Sequence, residues 1–187
     1  YVPSTLNWRR DGTVIQVRQT ANPQLGFARR PDSLAFDLAI SSERPIDFTL
    51  KIRLPWWLKG DAEIRVDGER QPGPFTPSSL YRIQRTWKEA RVSVVFPKGL
   101  AASPLPDRPE MVAFMDGPVV LAGLCEDERT LRGDRADPSS LLTPHNEREW
   151  GEWEPGYRTH GQAHNLRFIP LHQVRDERFA VYFPVAE

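Results

Sequence analysis

Two tryptophan pairs, a scatter of carboxylates, one close pair among the four histidines and one thiol are the residues of this sequence with types suited to chemistry. Trp56-Trp57 follows Pro55 at the end of an alternating run. Adjacent residues on a strand face opposite sides, so one ring belongs to a core. The other ring is a candidate platform for the C–H face of a sugar, or packs under a loop or on another domain. Trp150 and Trp153 stand with Tyr157, His160 and His164 in a stretch without periodicity. His160 and His164 are four apart, which on a helix would place both on one face, as in a zinc motif. Gly161 and the surrounding breakers argue against that helix, and no Glu follows the first His, so no metal site is assigned.

The acids Asp107, Glu110, Asp116, Asp127, Asp134, Asp176 and Glu177 are candidates for a glycosidase pair only if two face each other at a defined separation. With 25 acids in the chain, neighbouring pairs on the surface are expected without chemistry. Asp116, before Gly117-Pro118 and among apolar residues, reads as a side chain closing a turn onto backbone N–H groups. Cys125 is followed by Glu126, Asp127 and Glu128, which would disfavour a thiolate, so it reads as structural. The chain has no Gly-x-Ser-x-Gly elbow, no Walker loop and no Gly-x-Gly-x-x-Gly. No catalytic residue is assigned.

The elements that must position these groups are short strands. Val14, Ile15 and Val17 alternate roughly with polar residues; Leu34, Phe36, Leu38 and Ile40, then Phe48, Leu50, Ile52 and Leu54, alternate with period 2. Ile64 and Val66 precede Asp67-Gly68, a tight-turn signal. Leu80 to Ile83 follow, then Val92, Val94 and Phe96 in strict alternation. Pro or Gly bounds each run, Pro45 among them. The nearly continuous apolar run Met111–Leu124 reads as two buried strands, or as one broken at Gly117-Pro118. A short helix is allowed at Asp137 or Ser139. The predicted fold is an all-β, jelly-roll-like antiparallel sandwich. It has a main body over 1–124, a long irregular connection over 125–165, and C-terminal strands over 166–187 that complete the sandwich or form a small second β unit.

Composition narrows the function classes. The 25 Lys+Arg balance the 25 Asp+Glu, which argues against a general electrostatic hold on nucleic acid or anionic membrane. One Cys makes no internal disulfide and no thiolate zinc cluster. No apolar run approaches the ~20 residues of a membrane-spanning helix. Residues 1–20 show no signal-peptide pattern. The 18 Pro argue against long helices, and a start at Tyr1 in mid-pattern reads as a piece of something longer.

In order along the chain, several segments resemble one family. They begin with Tyr1-Val2-Pro3-Ser4-Thr5-Leu6-Asn7-Trp8, Ile15-Gln16-Val17-Arg18-Gln19-Thr20, Ile52-Arg53-Leu54-Pro55-Trp56-Trp57 and Val66-Asp67-Gly68. Tyr81-Arg82-Ile83-Gln84-Arg85-Thr86-Trp87-Lys88 follows, with Glu89-Ala90 where the family usually has Gly-Asp. Val112 to Gly123, Phe168-Ile169-Pro170-Leu171 and Asp176 to Phe183 complete the series. Together they resemble the β-sandwich region of glycoside hydrolase family 127, also called DUF1680, which includes β-L-arabinofuranosidases. The resemblance implies a catalytic (α/α)-barrel preceding the sandwich, with a Cys nucleophile and a zinc site of further Cys and a Glu on that barrel. None of those positions matches a residue here, and Cys125 matches no catalytic Cys.

The resemblance therefore implies a non-catalytic C-terminal region without a cofactor of its own, whose partner is the missing barrel. Trp56, Trp57, Trp150, Trp153 and Tyr157 are the candidate sugar-binding or interface residues. The Trp-rich stretch 145–165 is the expected barrel-facing or subunit-facing surface. Carbohydrate, held on an exposed Trp, and a second copy of the chain are the further expected partners. Nucleic acid and membrane are not expected as partners.

Overall fold

The computed structural model describes residues 2–22, 32–145, 148–149, 152–153 and 155–186. They form strands, turns and two short 3-10 turns, with no α-helix among the described residues. All strand pairs are antiparallel except one, which is the all-β sandwich class expected from the alternation. Two compact units divide the chain after Lys98.

The first unit is a six-stranded sheet. Its strands are β1 (Ser4–Arg10), β2 (Thr13–Ala21), β3 (Ser33–Arg53), β4 (Glu63–Val66), β5 (Glu69–Arg70) and β6 (Leu80–Pro97), in the order β1-β2-β3-β6-β4-β5. Two tight hairpins fix register. Asp11 and Gly12 (φ 49° and 75°) join β1 to β2, and Asp67 and Gly68 (φ 52° and 88°) join β4 to β5. Positive φ at both loop residues is the geometry whose twist matches the flanking strands, and Asp-Gly supplies it at low steric cost.

The separate strands predicted over 34–40 and 48–54 are one strand, β3, and the runs at 80–83 and 92–96 are one strand, β6. Pro45 does not end β3, because it lies in a bulge between Ser41 and Ile46 where no ladder bond is required of it. Between the pairs Ile40–Ala90 and Ile46–Trp87, β3 advances six residues while β6 advances three. An odd difference swaps the faces of one strand relative to the other. That is why β6 turns even positions Val92, Val94 and Phe96 into the core on one side of the bulge and odd positions Ile83 and Trp87 on the other, while β3 turns even positions into the core throughout.

The core of this unit is aromatic at its centre. Trp87, fully buried, stacks on Phe48 at 5.3 Å and donates its indole N–H to the Phe48 carbonyl at 2.9 Å. Trp8 meets Phe48 edge-on at 5.4 Å, and Phe36 meets Phe96 at 5.7 Å. Each buried large side chain contributes about 1.5–3 kcal/mol of transfer free energy, and the paired indole avoids the cost of a stranded donor.

The second unit contains β7 (Leu100–Pro104), β8 (Met111–Asp116), β9 (Val119–Leu124), β10 (Leu131–Arg132), β11 (Leu142–Pro144), β12 (Arg148–Glu149), β13 (Glu152–Trp153), β14 (Tyr157–Thr159), β15 (Arg167–Pro170), β16 (Phe179–Ala180) and β17 (Tyr182–Ala186). The sheet order is β10-β17-β8-β9-β15-β14-β11, with β7 on β8 and β16 on β9; β10 and β17 run parallel, and β12 pairs with β13 apart. The apolar run 111–124 is thus two strands joined at Gly117-Pro118, where Gly117 takes φ 57° and Asp116 pairs with Val119.

These two strands pair with β15, β16 and β17. Residues 125–165 carry short strands that join this sheet, and a 3-10 turn at Pro138–Ser140 capped by Asp137. Strands of two or three residues are too short to show a period. The core packs Phe168 against Phe114 and Phe183 at 5.6 and 5.1 Å. Gly123 lies beneath them: a Cβ there would run into Phe183 Cζ and sit 2.8 Å from Phe168 Cζ.

Candidate functional site

The structure separates the five aromatic candidates. Leu54 ends the β3 ladder by donating its N–H to Ser79 O at 2.9 Å, and the chain then turns through Pro55-Trp56-Trp57, closed by Leu58 N–H to Pro55 O at 3.4 Å. Trp57 faces inward, 8% exposed, edge-on to Phe96 at 6.2 Å. Trp56 faces outward and is 59% exposed. Leu80, paired with Arg53 at the same end of the sheet, is also exposed. Trp153 is half-buried in β13, opposite Arg148. Tyr157 is buried in the second core. Trp150 lies outside the described residues. Of the five, Trp56 alone among the described residues presents a large open ring face.

The polar candidates do not converge. His160 Nε2 lies 2.9 Å from the Ser139 carbonyl oxygen, and Gly161 (φ 67°) opens an irregular stretch in which His164 does not share a helical face with it. Among the described residues no three His, Cys, Asp or Glu side chains gather as a metal set. Asp116 is buried at the β8–β9 turn; Asp134 accepts the Ala136 N–H at 2.7 Å; Glu110 stands 3.7 Å from Arg108. These are turn and surface roles. Cys125 points its thiol at the Gly123 carbonyl oxygen (3.6 Å), and burial pushes its pKa up, so it is a neutral thiol at neutral pH.

One polar cluster escaped the sequence reading. Asp37 is buried on the face of β3 opposite the core, where it accepts from Arg91 Nη2 at 2.8 Å, Ser93 Oγ at 2.7 Å and Asn22 Nδ2 at 3.2 Å. Desolvation pushes its carboxyl up, but the bonds from Arg91 and Ser93 and the Arg91 charge outweigh it and leave the pKa below the usual carboxylate range. The signal was a charge between Ala35 and Ala39 on a polar strand face, which by itself looks like any solvated position. Its three partners tie β3 to β6 and to Asn22, the residue that follows β2. It is a structural clamp and holds no reacting group.

The model of the β-L-arabinofuranosidase GH127 middle domain matches residues 1–98, more than half of the chain. The chain belongs to glycoside hydrolase family 127. The matched range ends where the first unit ends, at Lys98. Solved structures agree on the fold. A GH127 β-L-arabinofuranosidase from Geobacillus stearothermophilus T6 superposes over 100% of this chain and 33% of that one, with TM-score 0.70 and 20% identity. A glycoside hydrolase gives TM-score 0.68 at 17% identity, covering 100% of this chain and 35% of that one. A further GH127 β-arabinofuranosidase gives 0.64 at 19%, covering 100% and 34%. The chain therefore spans about a third of the length of these structures. No curated protein sequence matches it.

Within GH127, several of the segments that carried the resemblance supply core and turn residues of the first unit. Ile52, Leu54 and Trp57 are buried, Val66-Asp67-Gly68 is the β4–β5 hairpin, and Ile83 and Trp87 are the odd-numbered core positions of β6.

Proposed function

We propose that this chain is the non-catalytic β-sandwich portion of a β-L-arabinofuranosidase-like hydrolase. In this reading it packs on and supports an (α/α)-barrel catalytic domain carried by the remainder of the polypeptide, and the second unit is the C-terminal part of that portion. The observation that carries the reading is the match of a middle-domain model to residues 1–98 in a chain that spans about a third of its solved relatives. The zinc and Cys nucleophile that the resemblance implies do not fit the residues present. The single Cys125 is a partly buried thiol bonded to a backbone carbonyl, with its pKa raised, and no other thiol exists to share a metal with it. The barrel is the place for that chemistry.

Assay of an aryl β-L-arabinofuranoside with this chain and with the full-length enzyme tests the reading. The chain is expected to be inactive and the full-length protein active; turnover by the chain alone would overturn it. A second reading, a carbohydrate-binding surface, is favoured by the 59% exposure of Trp56. It predicts that the chain binds arabinose-containing glycans and that Trp56→Ala abolishes the binding without lowering thermal stability.

A further inference from the structure

The outward face of the sheet in the second unit carries a cleft that the supporting role does not use. In the β9–β15 pair, Phe168 meets Gly123 and Ile169 meets Ala122. Side chains alternate along a strand, so with Phe168 in the core, Arg167 and Ile169 project from the other face. Leu124 projects there too, and β16 sets Phe179 directly opposite it with 45% of the residue exposed. A 3-10 turn, Leu171–Gln173, and the loop that follows then rise beside these strands. Leu124, Arg167 and Ile169 with that turn and loop line a cleft of about 550 Å³, within the ~300–1,000 Å³ usual for small-molecule sites, and Phe179 stands next to it across from Leu124.

The cleft has an apolar floor and a charged rim. Leu124 and Ile169 make the floor, and the Phe179 ring lies open beside Leu124. Arg167, Arg175 and Gln173 stand on the rim with Glu177. Glu177 Oε2 accepts the Arg175 backbone N–H at 2.9 Å; that bond, one from its own N–H, and the Arg175 and Arg167 charges hold its carboxyl below the usual range. The Arg175 guanidinium acts on Glu177 through space but has no hydrogen-bond partner among the described residues, and neither has the Gln173 amide. The Arg175 guanidinium is thus the rim cation open to an incoming anion.

A planar guanidinium fork recognises a carboxylate by two parallel bonds. An amide serves hydroxyls, and an exposed aromatic ring with an aliphatic floor serves the C–H face of a pyranose. A neutral sugar would leave the cation unmatched; an inorganic anion would leave the floor unused. We propose that this cleft binds a carboxylated sugar, a hexuronate unit of a glycan, with its carboxylate on Arg175 and its ring face on Leu124 and Phe179. Only the choice of a sugar over another carboxylate rests on family membership; the cleft does not depend on where hydrolysis occurs.

Calorimetric titration of the 187-residue chain with digalacturonate, its neutral counterpart galactobiose, acetate and phosphate tests this. Digalacturonate is expected to bind at least about tenfold more tightly than each of the others, as a charge-assisted bidentate contact requires. Arg175→Gln and Phe179→Ala should each weaken it severalfold while acetate is indifferent to Phe179→Ala. No binding of digalacturonate, or equal binding of galactobiose, overturns the proposal. Acetate or phosphate binding as tightly as digalacturonate reduces the cleft to a simple anion site and also overturns it. The wild-type ligand series decides the matter even if a variant unfolds, and because no turnover is read, its outcome is independent of the supporting role.

Discussion

At the scale of single residues, stability and pH response are concentrated where a polar or small residue has been placed against its surroundings. Asp37 is ionised in the folded state because Arg91 and Ser93 overcome its desolvation. Its folded pKa lies below its unfolded value of about 3.9, so its contribution is fully present above that value and is lost as pH falls through the folded pKa. Urea unfolding of the wild type and Asp37→Asn between pH 3 and 7 should show a stability gap near neutrality that closes as pH drops below about 4. Gly123 is the second such residue. Its missing Cβ is the space into which Phe168 and Phe183 pack, so Gly123→Ala must displace rings carried by β15 and β17. A loss of about 1–3 kcal/mol is expected by chemical denaturation, as for other overpacked cores.

At the scale of elements, legibility followed the physics of burial. β3 and the C-terminal half of β6 have one dry face, so alternation exposes them in the sequence. β1 was not predicted as a strand, because this edge strand is exposed at every position but Trp8, and a strand without a buried face has no period to read. The bulge at Pro45 was illegible for a different reason: register is a relation between two distant segments, and neither Ser41–Ile46 nor Glu89–Trp87 carries it alone. Trp56-Trp57 stood between these cases. Its rings take opposite sides, but in a turn past the end of β3 where strand alternation does not apply, and which ring goes inward depends on Phe96, contributed by another strand. The charged cleft in the second unit draws on Arg167, Arg175 and Glu177 with Leu124, and no motif links them in sequence. The hairpins, by contrast, are local, and Asp11-Gly12 bears the same signature as Asp67-Gly68. Gly12→Ala and Gly68→Ala each force a Cβ into positive φ with open space around it, so the cost is purely conformational, about 1 kcal/mol. Thermal melts should show similar losses for both, whereas Gly123→Ala loses more from a steric cause.

At the scale of the whole molecule, the chain holds two cores with no residue in common, one centred on Trp87 and Phe48 and one on Phe114, Phe168 and Phe183. Cooperativity follows shared burial, so each core defines a unit that can open with its own free energy. The tryptophans make this testable, since Trp8, Trp56, Trp57 and Trp87 all precede Lys98 and only Trp150 and Trp153 follow it. In a Trp150→Phe, Trp153→Phe background, indole emission reports the first unit alone, while far-UV circular dichroism reports both. Phe114→Ala, which removes a fully buried ring from the second core, should cost that unit about 3–5 kcal/mol. The expected result is a circular dichroism melt that splits or broadens to lower temperature while the emission midpoint stays within a degree or two of its parent, by the size scaling of melting shifts. Ile64→Ala in the first core should do the reverse and move the emission midpoint down. If both variants move both signals equally, the two cores unfold as one cooperative body, and the division at Lys98 is geometric without being energetic.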